Sequence, residues 1–241
     1  MTYDREYFFD NVRASLFYGD LDQSQVDGMN FLLDTWEEMF PEGDERHLAY
    51  CLATAYHETA QTMRPIEEYG KGQGMSYGAP TGPYNQCYYG RGHVQLTWED
   101  NYKKAGNELV AYDIEADLHQ HPELALEDEI SAAILYDGCN DGWFTGKKLS
   151  DYFNASVTDP VNARRIVNGT DKADLIAGYY RSFECALEPM PETPPKPEGP
   201  QMPEPGMEPD EPTMVTLAIS ADEPVSVTLT LGNNVQLYGA S

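Results

Sequence analysis

Between Ala55 and Gly74 the sequence reads AYHETAQTMRPIEEYGKGQG, and three of these residues are glutamates: Glu58, Glu67 and Glu68. Two carboxyls in unequal surroundings can share acid–base work, one donating a proton while the other takes one from water. On a helical wheel Glu58 falls beside Cys51 and Ala55, at the edge of an apolar stripe. A carboxyl at such an edge is partly withdrawn from water, as a general acid requires. His57 points away from it and reads as a structural hydrogen-bonder, since a histidine's role depends on a defined partner. The second carboxyl follows Pro65. In one unbroken helix Glu58 and Glu68 would stand ~15 Å apart along the axis, too far to share a small substrate. Pro65 should end the helix, push Arg64 out of the α region and let the chain fold back. Inverting hydrolysis of a glycosidic bond needs two carboxyls roughly 6.5–9.5 Å apart with a water between them, a geometry this sequence permits.

A second chemical stretch is YYGRGHVQLTWEDNY, Tyr88 to Tyr102. Gly90 and Gly92 allow tight turns and close approach to a ligand. Gln95, Thr97 and Asn101 supply neutral hydrogen-bonding groups, and Tyr88, Tyr89, Trp98 and Tyr102 supply flat apolar faces. Sugars suit such a lining, because their rings have apolar faces and hydroxyl rims. The plain alternative for this stretch alone is a glycine turn followed by a helix with aromatic core residues.

The elements that must position these groups are mainly helical. Met29, Leu32, Leu33, Trp36 and Phe40 recur at helical spacing in residues 24–40, with Asp22 or Ser24 as cap. Leu48, Cys51, Leu52, Ala55, Thr59 and Met63 form the next stripe, running from Arg46 to the break at Pro65. Residues 70–92 are rich in Gly, Tyr and Pro and read as a long irregular segment, of the kind that is often functional. Helical patterns return at 98–111, 127–137 and 171–187, the last with Leu175, Ile176, Tyr179, Tyr180, Phe183 and Leu187. Ten prolines between Pro189 and Pro212 rule out helix or central strand there. The expected organisation is therefore a main domain over 1–188, an acidic Pro-rich linker over 189–213 and a small β module over 214–241. In the last, Val215, Leu217, Ile219, Val225, Val227, Leu229, Leu231, Val235 and Leu237 alternate with polar residues. Three short strands are at the lower limit for independence, so this module is expected to pack, self-associate or dock on a protein partner.

The 241 residues carry 41 acids against 15 bases, a formal net charge of −26. That balance argues against nucleic-acid backbones and anionic membrane surfaces as partners. No apolar run is long enough to insert in a membrane. The start, MTYDREYFFDNVR, lacks the basic and apolar regions of a secretory signal, so synthesis in a cytoplasm is expected. Cys51, Cys87, Cys139 and Cys185 are scattered without a CxxC pair; reduced, mostly buried thiols are expected, with no metal and no cofactor.

Taken together, HET at 57–59, the Tyr88–Tyr102 string and RIVNGTDKADLIAGYYRSF at 165–183 resemble the signature of glycoside hydrolase family 19. That family covers plant-type chitinases and related bacteriophage endolysins; AYHETAQTMRPIEEYGKG and QSQVDGMNFLL resemble the endolysin branch. The resemblance spans about residues 5–187. It implies an α+β lysozyme-like, mainly α fold with a cleft between two lobes, and hydrolysis with inversion. It implies Glu58 as general acid, Glu68 as base with Glu67 the runner-up, and Thr97 as the hydroxyl that helps hold the water. It also implies Gln95, Asn101 and Asn168 as sugar contacts; Tyr89 adds a ring face, and Arg91 is expected to brace the cleft carboxylates. The substrate implied is the β-1,4 glycan of bacterial peptidoglycan, reached from the host cytoplasm through a holin pore or by particle delivery. Chitin oligomers, or a non-catalytic glycan-binding or particle-structural role, are the alternatives.

Overall fold

The computed structural model describes residues 3–188. The expected linker at 189–213 and β module at 214–241 lie outside the described residues. Within them the chain is mainly helical: α1 (Arg5–Ser15), α2 (Gln23–Met39), α3 (Glu45–Glu58), α4 (Glu99–Leu109), α5 (Asp128–Asp141), the short α6 (Leu149–Tyr152) and α7 (Ala173–Leu187). One antiparallel ribbon joins β1 (Ile66–Glu67) to β2 (Arg91–Gly92), with Ile66 opposite Gly92 and Glu67 opposite Arg91.

The core is built around α3 and α5. Every residue of α3 from Leu48 to Tyr56 is buried, and so is every residue of α5 from Ile130 to Cys139. A helix that is apolar on all sides must sit inside the domain. α3 packs most broadly against α7, which also covers α1. At that junction Phe183 stacks on Phe8, with centroids 6.3 Å apart, and meets Tyr56 edge to face at 6.1 Å. The stripe expected on α2 is buried through Met29, Leu32, Leu33 and Trp36, and the start of α2 is closed by Asp22, whose side chain accepts from Gln25 N–H in a capping box. On α7, Ile176, Tyr180, Phe183 and Leu187 are buried, but Leu175 points outward.

α1 was not among the expected elements. Its buried residues are only Phe8 and Val12, and its other positions are mostly polar, so its periodic signal is weak. Of the thiols, Cys51 and Cys139 are buried, Cys87 is half-buried and Cys185 is exposed; all four are free. No described helix is long and apolar enough to cross a membrane.

The largest departure from expectation is the end of α3. The stripe through Thr59 and Met63 suggested a helix running on to Pro65, yet α3 stops at Glu58. Two bonds close it: Gln61 N–H donates to Tyr56 O at 2.8 Å and Ala60 N–H to His57 O at 3.3 Å. This is the paired bonding of a Schellman cap, with Ala60 in the left-handed position that glycine normally takes (φ 49°). The Thr59 hydroxyl donates to Ala55 O at 2.7 Å and accepts from Met63 N–H at 3.1 Å. The chain has therefore reversed before Pro65 is reached, and Met63, although apolar and buried, is packed from a loop.

Candidate functional site

The Schellman cap makes Glu58 the last residue of α3. Its carboxylate thus stands at the negative end of the helix dipole, an unfavourable place for an anion. Arg164, from the single-turn helix Asn162–Ile166, offsets this: its Nη1 lies 2.7 Å from Glu58 Oε1. The Arg164 side chain is 3% exposed and that of Glu58 16%. Arg164 Nε also donates to Asp171 O at 3.1 Å, and Asn168 N–H donates to Arg164 O at 3.0 Å. Asn168, read as a sugar contact, is thus joined to Glu58 through Arg164. Its own Oδ1 accepts from Gly169 N–H. His57 lies beside the Tyr179 ring, 6.3 Å between centroids. Burial pushes its imidazole below the ordinary range, the nearby Glu58 charge opposing that shift.

Glu67 ends β1 and Glu68 follows it directly, its backbone still bonded to Gly90, so that their successive side chains face opposite ways. Glu67 accepts from Tyr89 Oη at 2.5 Å and pairs with Lys71 Nζ at 2.6 Å. These two partners hold its carboxyl below the usual range, Lys71 most strongly. Glu68 accepts from Tyr77 Oη at 3.2 Å and from Gly90 N–H at 3.1 Å, while its own N–H donates to Gly90 O at 2.7 Å. Both glutamates are half-buried.

The rest of the predicted set is drawn together by the same ribbon. After β2 the chain turns back on itself, Arg91 exchanging backbone bonds with Leu96 at 3.2 and 2.9 Å. Gly92 is obligatory here: its φ is 82°, and an added Cβ would lie 2.7 Å from Ala125 O and 2.8 Å from Ser131 Oγ. The close approach read as serving a ligand is therefore made to α5 and its leading turn. The Gln95 carboxamide donates to Ile66 O at 3.0 Å and Gly92 O at 3.1 Å, which locks the turn to β1. Thr97 Oγ1 donates to Gln95 O at 2.8 Å, and Asn101 Nδ2 donates to Thr97 O at 2.8 Å. His93 pins the assembly to the core. It is 1% exposed, its Nδ1 and N–H both lie 2.8 Å from Ser131 Oγ, and it also bonds the Met63 backbone. Burial lowers its pKa to about 4, so it stays neutral. Through Met63 it fixes the loop that leaves Glu58 against the ribbon that carries Glu67 and Glu68.

Two expectations are corrected. Arg91 makes no direct contact with the cleft glutamates and favours the charged form of Glu67 only from a distance: its Nη1 donates to Cys87 O at 3.0 Å and Tyr102 Oη at 3.0 Å, and its guanidinium lies over the Tyr89 ring at 3.7 Å. It is 5% exposed and organises backbone from beneath. The arginine paired with Glu58 is Arg164, which the sequence alone did not single out; the only signal was the adjacent pair Arg164 and Arg165 shortly before the VNG string, and nothing local says which of the two turns inward. Nor do the four aromatic residues all offer a face. Tyr88 and Tyr102 are fully buried and Tyr89 nearly so, while Trp98 is 50% exposed. Tyr77 and Lys71, partners of the two ribbon glutamates, were also missed, because the irregular 70–92 segment has no periodicity to orient its side chains. Among the described residues, no group of three or more His, Cys, Asp or Glu is arranged to hold a metal ion.

The chain matches no protein-family model and no curated protein sequence. In fold it is similar to chitinase C from Streptomyces griseus, at 22% identity and a TM-score of 0.50, over 76% of each chain. It also matches a bacterial family 19 chitinase at 22% identity and TM-score 0.46, over 76% of this chain and 94% of that one. A family 19, class IV chitinase from Zea mays matches at 20% identity and TM-score 0.42, over 76% and 96%. At such identities the likeness extends to the fold, which is mainly helical and lysozyme-like.

Proposed function

We propose that the protein is a chitinase-like glycoside hydrolase of the endolysin type that cuts β-1,4 linkages in the glycan strands of bacterial peptidoglycan by inversion. The observation that carries this reading is the joining of Glu67 and Glu68, through the ribbon, to the Gln95–Thr97–Asn101 string, on a fold similar to that of a chitinase. Glu58 protonates the leaving glycosidic oxygen. A ribbon carboxylate removes a proton from the water that attacks the anomeric carbon from the opposite face, and the Thr97 hydroxyl helps hold that water. Gln95, Asn101 and Asn168 border the sugar.

The base must be ionised at the working pH. That favours Glu67, whose charged form Lys71 and Tyr89 stabilise. Glu68, the residue picked out from the sequence, has one oxygen on the Tyr77 hydroxyl and the other on the Gly90 amide. In this reading it ties the 70–78 loop to the ribbon.

Purified peptidoglycan and N-acetylglucosamine oligomers, followed by release of reducing ends, test the assignment. Glu58→Gln and Glu67→Gln should each lower the rate by at least a hundredfold, with Glu68→Gln milder. Lysis by Glu58→Gln at the wild-type rate would remove the acid, and a Glu68→Gln loss exceeding that of Glu67→Gln would return the base to Glu68. An α-configured new end, seen by NMR before mutarotation, is the expected stereochemical result. Activity on chitin oligomers without activity on peptidoglycan would replace the substrate but keep the chemistry.

A further inference from the structure

Trp98 combines three properties that its packing does not require. It is 50% exposed, in contrast to Trp36 at 3% and Trp143 at 5%. Its backbone holds φ 77° and ψ 138°, a conformation that costs a side-chain-bearing residue of order 1–3 kcal/mol. Its ring is nevertheless held in place: Tyr77 meets it edge to face, with centroids 5.1 Å apart and planes at 77°. The backbone is clamped as well, Trp98 N–H donating to Tyr88 O at 2.9 Å and Trp98 O accepting from Asn101 N–H at 3.0 Å and Tyr102 N–H at 3.1 Å. Backbone strain alone also serves structure, as at Ala60, but a strained and clamped indole that is still half-exposed is an arrangement suited to a ligand.

The neighbours identify the ligand. Tyr77, which orients the indole, donates its hydroxyl to Glu68. Thr97 precedes Trp98 directly, and Asn101 lies one helical turn on. A flat apolar face bordered by neutral hydrogen-bonding groups fits a pyranose ring, whose axial C–H groups pack on indole while its hydroxyls and acetamido group meet the rim. We propose that Trp98 is a sugar-stacking residue, a platform oriented by Tyr77 that carries one N-acetylated pyranose of the glycan beside the ribbon carboxylates. This proposal rests on the glycosidase reading of the same site.

Position makes the test specific. Trp98 is the half-exposed one of the three tryptophans, so sugar stacking should move the emission of the whole protein to shorter wavelength. The full chain carrying Glu58→Gln, titrated with N-acetylglucosamine hexamer, should show that shift. Adding Trp98→Ala should abolish it and weaken binding at least tenfold by calorimetry, and Trp98→Phe should restore most of the affinity. In the catalytically intact chain, Trp98→Ala should raise KM far more than it lowers kcat. Hexamer binding that is unchanged in Trp98→Ala overturns the platform and leaves the hydrolase reading standing. Absence of both hexamer binding and reducing-end release by the wild-type chain overturns both.

Discussion

Removal of the Arg164 guanidinium is the perturbation that most directly probes the environment of Glu58. Arg164→Met keeps the aliphatic stem and deletes two bonds, to Glu58 Oε1 at 2.7 Å and to Asp171 O at 3.1 Å. The carboxylate left behind is 16% exposed and stands at the C-terminal end of α3. Breaking a buried ion pair from one side costs about 3–5 kcal/mol. The residual exposure of Glu58 places this pair near ~3 kcal/mol, and the orphaned carbonyl adds about 1. Glu58→Gln alone should cost ~1–2 kcal/mol, because Arg164 keeps a neutral acceptor. With both changed, no unpaired charge remains, so the double variant should be more stable than Arg164→Met alone, with a coupling energy of about 2 kcal/mol. Urea denaturation of the four proteins at pH 7 gives that number. On peptidoglycan, Arg164→Met should lower kcat roughly a hundredfold, as a misplaced acid does, with KM little changed. Arg164→Lys should recover part of the loss, since one ammonium can meet the carboxylate but not also reproduce the fork. A coupling energy below ~0.5 kcal/mol, the level of an exposed pair, would refute the reasoning.

Three further outcomes follow from buried and strained groups. Ala60 occupies a left-handed position with φ 49°, so Ala60→Gly should stabilise the chain by ~0.5–1 kcal/mol, seen as a higher urea midpoint at unchanged slope. His93 has its folded-state pKa lowered to about 4, from an ordinary 6.5. The unfolded chain therefore binds the extra proton first as the pH falls, and stability contributed above pH 6.5 is lost down to pH 4, by up to ~3 kcal/mol. His93→Asn should flatten that acid limb. Asp137 works in the opposite sense: it is 1% exposed, its Oδ2 has no hydrogen-bond partner, and burial followed by the Asp141 charge raises its pKa from 3.8 to about 7. Its protonated form fits the core, so stability should decline between pH 4 and 7, and Asp137→Asn should recover ~1–3 kcal/mol at pH 8 but little at pH 4. Equal effects of Asp137→Asn at both pH values would show that the carboxyl does not titrate in this range.

The sequence by itself determined the elements whose signals are local. The stripes of α2, α4 and α7 repeat every three to four residues, and burial of one face is enough to make such segments helical; α5 shows instead as a long apolar run. It also brought Glu58 to a helix edge and Gln95, Thr97 and Asn101 onto one continuous string, because all lie within short chain distances of a recognisable turn. What it could not contain were choices that depend on residues far apart. α3 ends at Glu58 because Ala60 accepts a left-handed backbone and Met63 finds a buried place in the core; a local scale assigns the stop to Pro65 instead. Glu58 meets Arg164 across 106 residues, and His93 meets Ser131 across 38. The sequence offers many acids for each base, and only packing selects the pair. The same holds for the aromatic residues: Tyr88, Tyr102 and Trp98 look alike as apolar faces, and only the tertiary fold buries the first two and leaves the third open to solvent. Periodicity reports which side of an element is apolar, whereas a site is a set of directions between elements, and those are decided when the core closes.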